Sequence, residues 1–315
     1  MKILFTGASS FTGLWFVKEL AECGHDVTAC FRHRQEDYKD IRKKRVDQAL
    51  QYCKPIFECP FGSEAFMKLI ESEQEWNLFC HHAADVANYK DPNFDAVAAA
   101  ARNTYNLKAT LKALSDKGCL KIVLTGSVFE QNEGAGSDNL RAVSPYGLSK
   151  GLTTDIFKYY ASVMGLKLGK FVIPNPFGPF EELRYTSFLI QSWFQGKTAF
   201  VQTPEYVRDN IHVSLLARAY SVFIQRLSPL PGFEKFNPSG YVETQGAFTA
   251  RFSQEMKQRL SLECHFECSP QMEFSEPKVR INTDVLNQQQ LEWDEKHAWD
   301  VLAAYYQSFF SKKSA

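Results

Sequence analysis

Short apolar strands alternate with longer helical segments over the first 173 residues, and this alternation restricts the possible folds more than any other feature of the sequence. Apolar runs predict strands at residues 2–5, 26–31, 55–58, 77–81, 119–124 and 168–173. Helical periodicity predicts helices at residues 14–23, 36–53, 63–73 and 94–115, and another from about residue 145. Strands joined through helices form a parallel sheet with right-handed crossovers and helices on both faces. We therefore expect an α/β fold with a doubly wound parallel sheet of the Rossmann type.

The composition changes after residue 173. Aromatic residues and prolines become frequent, and helices are predicted at residues 188–195, 214–225, 245–260 and 295–310. We expect a smaller, mixed C-terminal substrate-binding region beside the sheet. We assign residues 1–173 plus about 211–235 to an NAD(P)-binding Rossmann domain, and about 174–210 and 236–315 to a substrate-binding domain.

The turn between the first strand and the first helix, residues 6–13, has a glycine pattern that suits a dinucleotide. Unpaired amide groups at a helix N-terminus bind diphosphates in βαβ units. The glycine pattern is incomplete, because Ser10 occupies the place of the middle glycine. A degenerate glycine turn is weak evidence by itself, but its position directly after an N-terminal strand strengthens the prediction.

Arginines follow the second strand where NAD-binding folds usually carry an acidic residue. The acid that binds the adenosine ribose lies about 20 residues beyond the glycines. Phe31, Arg32, His33 and Arg34 occupy that place here. A missing carboxylate beside arginines favours a 2′-phosphate, so NADP(H) is favoured as the cofactor and NAD(H) is possible. The alternative is that residues 32–45 form a basic, solvated surface.

The charge balance argues against polyanionic partners. Lysine plus arginine and aspartate plus glutamate number 36 each, so no net field attracts nucleic acid or an anionic membrane. No apolar run approaches the ~20 residues of a membrane span, and no signal peptide is predicted. Cysteines are scattered without a C-x-x-C pair, which fits reduced thiols. We expect a cytoplasmic protein with a small-molecule partner.

Two clusters contain residues that often bind metals, and no metal is predicted at either. His81 and His82 are adjacent on a predicted strand, where successive side chains point to opposite faces. Cys264 and Cys268 fall in a segment with strand alternation, which predicts both thiols on one face of a strand.

Candidate catalytic groups lie at the end of the fifth strand and on the next helix. Tyr146 and Lys150 are four positions apart and share a helix face. A nearby ammonium favours the phenolate and brings a tyrosine towards proton transfer at neutral pH. Thr125 and Ser127 lie at a strand's carboxyl end, where doubly wound sheets bind ligands. Taken alone, the Tyr–Lys pair is more typical of an ordinary surface helix than of a catalytic site.

Together these segments resemble the extended short-chain dehydrogenase/reductase family, which contains nucleotide-sugar epimerases, dehydratases and ketoreductases. The resemblance covers most of the chain, through residues 6–13, 83–84, 125–129, 146 with 150, 175–179 and 208–213. It implies a diphosphate turn formed by Gly7, Ser9, Ser10, Phe11 and Gly13. It also implies that Arg32 faces the adenosine ribose, that Ala83 and Ala84 flank the cofactor, and that Lys150 holds the nicotinamide ribose.

The same resemblance implies catalytic and substrate-binding roles. Tyr146 would be the acid/base on a substrate hydroxyl or carbonyl, with hydride passing between the same carbon and the nicotinamide C4. Either Ser127 or Thr125 would hydrogen-bond that oxygen, and we favour Ser127. Asn175 and Arg208 would contact the substrate, the arginine as a fork on nucleotide phosphates. A homodimer formed through two helices per subunit is possible.

Departures from the family pattern bear on the reaction. No acidic pair follows the strand-end hydroxyl, since Gly126 to Val128 hold those places, and this counts against a dehydratase. Phe31 and Arg32 count against an epimerase with tightly held NAD. We therefore expect an NAD(P)H-dependent reductase of a keto group on a nucleotide sugar or a similar phosphorylated substrate. The alternatives are an NAD-dependent nucleotide-sugar epimerase and a non-catalytic dinucleotide-binding regulator.

Overall fold

Strands and helices alternate along the first half of the chain in the computed structural model, which describes residues 1–86 and 91–311. The strands are β1 (Lys2–Thr6), β2 (Asp26–Cys30), β3 (Lys54–Ile56), β4 (Leu78–His81), β5 (Lys121–Ser127), β6 (Ala135–Gly136), β7 (Lys167–Ile173), β8 (Asn175–Phe177), β9 (Ala199–Val201), β10 (Val207–His212), β11 (Gly232–Phe236), β12 (Pro238–Ser239), β13 (Tyr241–Thr244), β14 (Phe266–Cys268), β15 (Val279–Ile281) and β16 (Asp284–Val285). The helices are α1 (Phe11–Glu22), α2 (Asp40–Ala49), α3 (Glu64–Ser72), α4 (Ala96–Asn103), α5 (Leu107–Asp116), α6 (Pro145–Val163), α7 (Tyr185–Phe194), α8 (Val213–Arg226), α9 (Gln245–Leu260) and α10 (Glu295–Ser311).

The main sheet has seven parallel strands in the order β11-β7-β5-β4-β1-β2-β3. The chain runs outward from β1 to β3, returns to the other side of β1 at β4, and then runs outward to β11. The strand order therefore reverses between β1 and β4, where Ile3 pairs with Leu78. Ligands of doubly wound sheets bind at the carboxyl ends of the strands beside this reversal. The predicted α/β, doubly wound fold is confirmed.

Helices cover both faces of the main sheet and form separate apolar cores. On one face α1 meets α8, and Phe16 stacks on Tyr220 with ring centroids 4.0 Å apart. On the other face α3, α5 and α6 bury Trp76 and Phe157 completely. Each such aromatic side chain contributes about 1.5–3 kcal/mol on burial. These cores fix the strand ends and, with them, the loops that carry the candidate site.

Strands of the C-terminal region form a smaller sheet of mixed direction together with β6, which follows β5 in the chain. Its order is β13-β10-β15-β6, with β8 also pairing with β10. Strand β13 is antiparallel to β10, whereas β15 is parallel to it. A third apolar core lies against this sheet, where Phe177 contacts Phe248 and Trp299 with ring centroids 5.3 and 5.4 Å away. The division of the chain into two domains stays a prediction.

The single helix predicted at residues 94–115 is wrong, because the chain breaks between α4 and α5. Asn106 has a φ of 56°, in the left-handed region that asparagine tolerates better than most residues. Its side-chain amide donates to the Gly62 carbonyl at 3.1 Å, which holds the break in place. The break lets α4 pack against α6, the helix that carries Tyr146 and Lys150.

The segment around Cys264 and Cys268 also differs from its prediction. The strand is β14, which begins at Phe266, and Cys264 precedes it with a φ of 50°. Because only Cys268 lies within the strand, the two thiols do not share a strand face. Cys264 is buried and Cys268 is exposed. Among the described residues no group of three or more His, Cys, Asp and Glu side chains could hold a metal ion.

The surface of α4 and α6 carries exposed apolar side chains. Val97 of α4 is 73% exposed, and Tyr159 and Val163 of α6 are 64% and 67% exposed. The homodimer through two helices stays a prediction. Within residues 1–86 and 91–311, no helix is both long and apolar enough to cross a bilayer.

Candidate active site

A cleft of about 1910 Å³ opens along the carboxyl edge of the main sheet and continues between the C-terminal elements. The predicted site residues that line it are Gly7, Ser9, Ser10, Phe11, Arg32, Ala83, Ala84, Thr125, Ser127, Tyr146, Lys150 and Asn175. The structure thus brings together twelve of the fourteen predicted residues, from six separate segments. Gly13 and Arg208 do not line the cleft.

The turn between β1 and α1 is built around Ser10, which acts as the N-cap of the helix. Its hydroxyl donates to the Gly7 carbonyl at 2.8 Å and accepts from the Gly13 amide at 3.1 Å. A Cβ on Gly13 would lie 2.2 Å from the Gly7 carbonyl oxygen, so this position needs glycine for packing. Ser10 therefore stabilises the turn in the place where the usual pattern has a glycine.

The turn fits the diphosphate of a dinucleotide. Phe11 and Thr12 line the cleft, and their amides precede the first intrahelical hydrogen bond, from the Leu14 amide to the Ser10 carbonyl at 3.1 Å. Such amides form an anion site at a helix N-terminus. Gly7 has a φ of 91°, and a Cβ there would lie 2.7 Å from the Ala83 amide nitrogen. Glycine thus keeps the turn close to the end of β4.

The two adjacent histidines face opposite sides of the sheet, as strand alternation predicts. His81 bonds Thr6 at 3.0 Å and contacts Phe61. His82 Nε2 lies 2.9 Å from Ser10 Oγ, and its Nδ1 lies 2.9 Å from Thr125 Oγ1.

His82 joins the diphosphate turn to the end of β5. His82 Nε2 also lies 3.1 Å from Thr12 Oγ1, so the ring links the hydroxyls of Ser10 and Thr12 to the hydroxyl of Thr125. Burial, with a smaller effect of the Lys150 charge, lowers the pKa of His82 to about 3.

Lys150 lies on the floor of the cleft with its ammonium against the end of β5. Its Nζ donates to the Thr125 carbonyl at 2.5 Å, and the residue is 5% exposed. Burial lowers the pKa of Lys150 to about 8; the charge of Glu130 acts in the opposite direction, and that of Lys170 lowers the pKa further. The side chain is therefore cationic below about pH 8.

Close packing places Tyr146 beside the strand-end loop. Ser144 caps α6 by accepting from the Gly147 amide at 3.2 Å, and Pro145 occupies the first helical turn. A Cβ on Gly147 would lie 2.2 Å from the Phe129 carbonyl oxygen, so the start of α6 touches the loop after Ser127. The Ser127 hydroxyl is partly exposed and accepts from the Phe129 amide at 3.3 Å.

The end of the cleft beyond β2 is basic and aromatic. Phe31 is buried against Phe57, with ring centroids 5.1 Å apart, whereas Arg32 is exposed and lines the cleft. Arg42 of α2 also lines the cleft. Sequence reasoning assigned no role to Arg42, and the charged composition of the segment was its only signal.

The Arg208 guanidinium is hydrogen-bonded to neighbouring protein groups and does not line the cleft. It donates to the carbonyls of Val207, Pro277 and Lys278 at 3.0–3.2 Å. It also pairs with Glu276 at 3.0 Å, and Arg208 is 6% exposed. Glu276 itself lines the cleft.

Several cleft residues from the C-terminal region were missed by sequence reasoning. The missed residues Glu181, Arg184 and Phe188 line the cleft and follow the predicted Asn175, which donates to the Asp209 carbonyl at 3.3 Å. Burial raises the pKa of Glu181 to about 7, although the Thr186 hydroxyl donates to it at 2.5 Å. These residues follow a proline- and glycine-containing loop, which was the available signal.

The sequence from residue 3 to residue 237 matches the family model described as the NAD dependent epimerase/dehydratase family. A search of curated protein sequences found no match.

Solved structures with similar folds include three UDP-sugar epimerases. The UDP-glucose 4-epimerase from Stenotrophomonas maltophila, with bound NAD and formylated UDP-arabinopyranose, shares 18% identity and has a TM-score of 0.74 over 100% of this chain and 99% of that chain. The UDP-glucuronic acid 4-epimerase from Bacillus cereus, in complex with UDP-glucuronic acid and NAD, shares 16% identity and has a TM-score of 0.74 over 98% and 100%. The UDP-glucose 4-epimerase from Thermotoga maritima, with UDP-glucose, shares 18% identity and has a TM-score of 0.72 over 98% and 100%. At these identities the similarity establishes the fold.

Proposed function

The chain belongs to the NAD-dependent epimerase/dehydratase family, and we propose that it is a nucleotide-sugar epimerase that works with a nicotinamide dinucleotide. The resemblance to extended short-chain dehydrogenases/reductases is thereby confirmed. The observation that carries the proposal is the convergence of Tyr146, Lys150, Ser127 and the diphosphate turn on one cleft. A bound nicotinamide would accept a hydride from the substrate carbon and return it.

In this proposal the chain's own groups move the proton and hold the substrate oxygen. Tyr146 takes the proton of a sugar hydroxyl as that carbon is oxidised, and it returns the proton when the carbon is reduced. Lys150 supplies the nearby positive charge that favours the phenolate. Ser127 is the better partner for the substrate oxygen, because the Thr125 hydroxyl is already paired with His82, whereas the Ser127 oxygen accepts from an amide and keeps its own proton for donation.

The sequence alone favoured a reductase, and the comparisons favour the epimerase. The similar structures named above are all UDP-sugar 4-epimerases, and two of them hold NAD. A reductase is the second candidate, because Arg32 and Arg42 line the end of the cleft where a 2′-phosphate would lie. Such a phosphate belongs to NADP(H), the usual exchangeable reductant.

A product assay separates the two reactions. The purified protein is incubated with NAD⁺ or NADPH and with UDP-glucose, UDP-glucuronic acid or UDP-N-acetylglucosamine. We expect the C4 epimer to form without net change in nicotinamide absorbance. If NADPH is instead consumed and a reduced product forms in the same molar amount, the protein is a reductase. If no nucleotide sugar reacts under either condition, the substrate class is wrong.

Changing Arg32 to alanine is expected to lower the preference for NADPH over NADH by about 10- to 100-fold, because a charge-assisted contact to the 2′-phosphate is lost. The preference is the ratio of the two dissociation constants, measured by fluorescence titration. Arg34→Ala is the matched control, since the Arg34 side chain pairs with Glu58 at 2.9 Å and does not line the cleft. An unchanged ratio in Arg32→Ala would show that residues 32–45 are an ordinary basic surface.

A further inference from the structure

A cluster of buried charged side chains packs against the end of β5. Lys170 of β7 pairs with Glu130 at 2.5 Å and with Glu133 at 2.7 Å, and each of the three residues is at most 4% exposed. Burial alone would lower the pKa of Lys170, but the charges of the two glutamates and the hydrogen bonds to them outweigh burial and raise it. The glutamates therefore hold Lys170 in its charged form.

Glu130 and Glu133 extend the cluster in different directions. Glu133 is directed towards β11 and the residue after it, where it accepts from Asn237 and pairs with Lys235, both at 3.0 Å. Glu130 is completely buried and faces the catalytic segments.

Glu130 connects the two segments that carry the proposed catalytic groups. Its Oε1 accepts from the Ser127 amide at 2.7 Å. Its Oε2 accepts from the Thr154 hydroxyl at 3.1 Å, and the same hydroxyl lies 3.1 Å from the Lys150 carbonyl. A Cβ on Gly126 would lie 2.5 Å from Lys170 Cε and 3.1 Å from Glu130 Oε1. Glycine at this position therefore allows the Lys170 and Glu130 side chains to pack against the backbone of β5.

We propose that Glu130 is a positioning residue whose carboxylate, paired with Lys170 and held between the Ser127 amide and the Thr154 hydroxyl, keeps Lys150 cationic beside Tyr146. This role rests on the proposed function, because it matters to the reaction only if Tyr146 and Lys150 perform it. Glu130 does not line the cleft, so it acts through Lys150 and not on the substrate.

The groups that face Lys150 come from three sides. Glu130 and Lys170 act on it from beneath β5, with Glu130 having the larger effect. His81 and His82 lie at the end of β4, and burial lowers the pKa of each to about 3, so both are neutral near pH 7 and add no charge beside Lys150. Tyr146 lies one turn earlier on α6. Among these neighbours Glu130 is the negative charge that opposes the effect of burial on Lys150.

The test measures the titration of Lys150 directly in the full-length protein. Lysine labelled with ¹³C at Cε is followed by NMR across the alkaline range, and the Lys150 signal is identified by its loss in Lys150→Arg. Glu130→Gln keeps an oxygen for the Ser127 amide and removes the charge. We expect its Lys150 midpoint to fall by about one pH unit, because a neighbouring negative charge stabilises the ammonium.

Glu133→Gln is the matched control. It removes the other carboxylate of the same cluster, which is not among the charges that act on Lys150, and we expect the wild-type midpoint. Equal midpoints in wild type and Glu130→Gln, or equal shifts in both glutamine variants, would overturn the proposal.

Two further comparisons make the result decisive. If Glu130→Gln does not fold, the double variant Glu130→Gln with Lys170→Met is compared with Lys170→Met alone, and we expect the lower Lys150 midpoint in the double variant because only it lacks the Glu130 carboxylate. The readout needs no substrate. Loss of the proposed function therefore appears as turnover that survives Tyr146→Phe, whereas loss of the Glu130 role appears as an unshifted midpoint.

Discussion

Replacing Tyr146 by phenylalanine is expected to lower kcat by about 10²- to 10⁴-fold, the usual contribution of a positioned general acid/base. The substitution removes the phenolic oxygen and keeps the ring, whose edge faces Phe94 with centroids 6.4 Å apart. The cap at Ser144 and the contact at Gly147 are unaffected, so the helix that carries the residue keeps its place. Cofactor affinity should therefore stay within about twofold of wild type.

The measurement compares kcat, on the nucleotide sugar that the product assay identifies, with the dissociation constant of the cofactor. Tyr159→Phe provides the control, because Tyr159 lies on the same helix but is 64% exposed on its outer face. That variant should turn over like wild type. Full activity in Tyr146→Phe would remove the tyrosine from the reaction and, with it, the proposed mechanism.

Changing Arg280 to methionine is expected to reduce the free energy of unfolding by about 3–5 kcal/mol, the cost of breaking a buried, hydrogen-bonded charge network. Arg280 lies on β15 and is 0% exposed. Its guanidinium donates to the carbonyls of Val128 at 2.8 Å, Glu130 at 2.6 Å and Arg141 at 3.1 Å. Methionine fills similar space but leaves these carbonyls without their donor. The arginine thus ties the C-terminal sheet to the loop after Ser127.

Urea unfolding followed by circular dichroism gives the free energy change, with the slope used to check that the transition stays comparable. Arg251→Met is the control, because Arg251 pairs with Glu243 at 2.9 Å on the surface and its side chain is 45% exposed. Exposed pairs of this kind contribute about 0–1 kcal/mol. Similar losses in the two variants would mean that the buried contacts of Arg280 add no more stability than a surface pair.

Much of the fold could be predicted because its signals are local. Strand and helix periods repeat along residues 1–173, and a parallel sheet follows from their alternation. The Tyr146–Lys150 pair and the diphosphate turn are equally local, since each depends on spacings within one or two turns of a helix. The break at Asn106 was missed because one residue in the left-handed region leaves no trace in hydrophobic periodicity.

The environment of a charged side chain depends on partners that are distant in sequence, and here prediction was poorer. Arg208 pairs with Glu276, 68 positions later, a partner that its motif does not indicate, and its contact with substrate phosphates stays a prediction. Glu130 lies three positions after Ser127, but its partner Lys170 is 40 positions away. Spacing alone does not reveal such pairs, because they form only when separate strands and loops meet.

His82 does not change its charge in the pH range in which activity is usually measured. Burial keeps the ring uncharged well below neutral pH, so the junction between the cofactor turn and β5 has the same protonation state in neutral and alkaline buffers. Acid and base limbs of activity in that range therefore report on other groups, and these include Glu181 near pH 7 and Lys150 near pH 8, both of which line the cleft. A limb near neutrality is therefore no sign of a catalytic role for His82, and the buried Glu181 carboxyl is one group that would produce it.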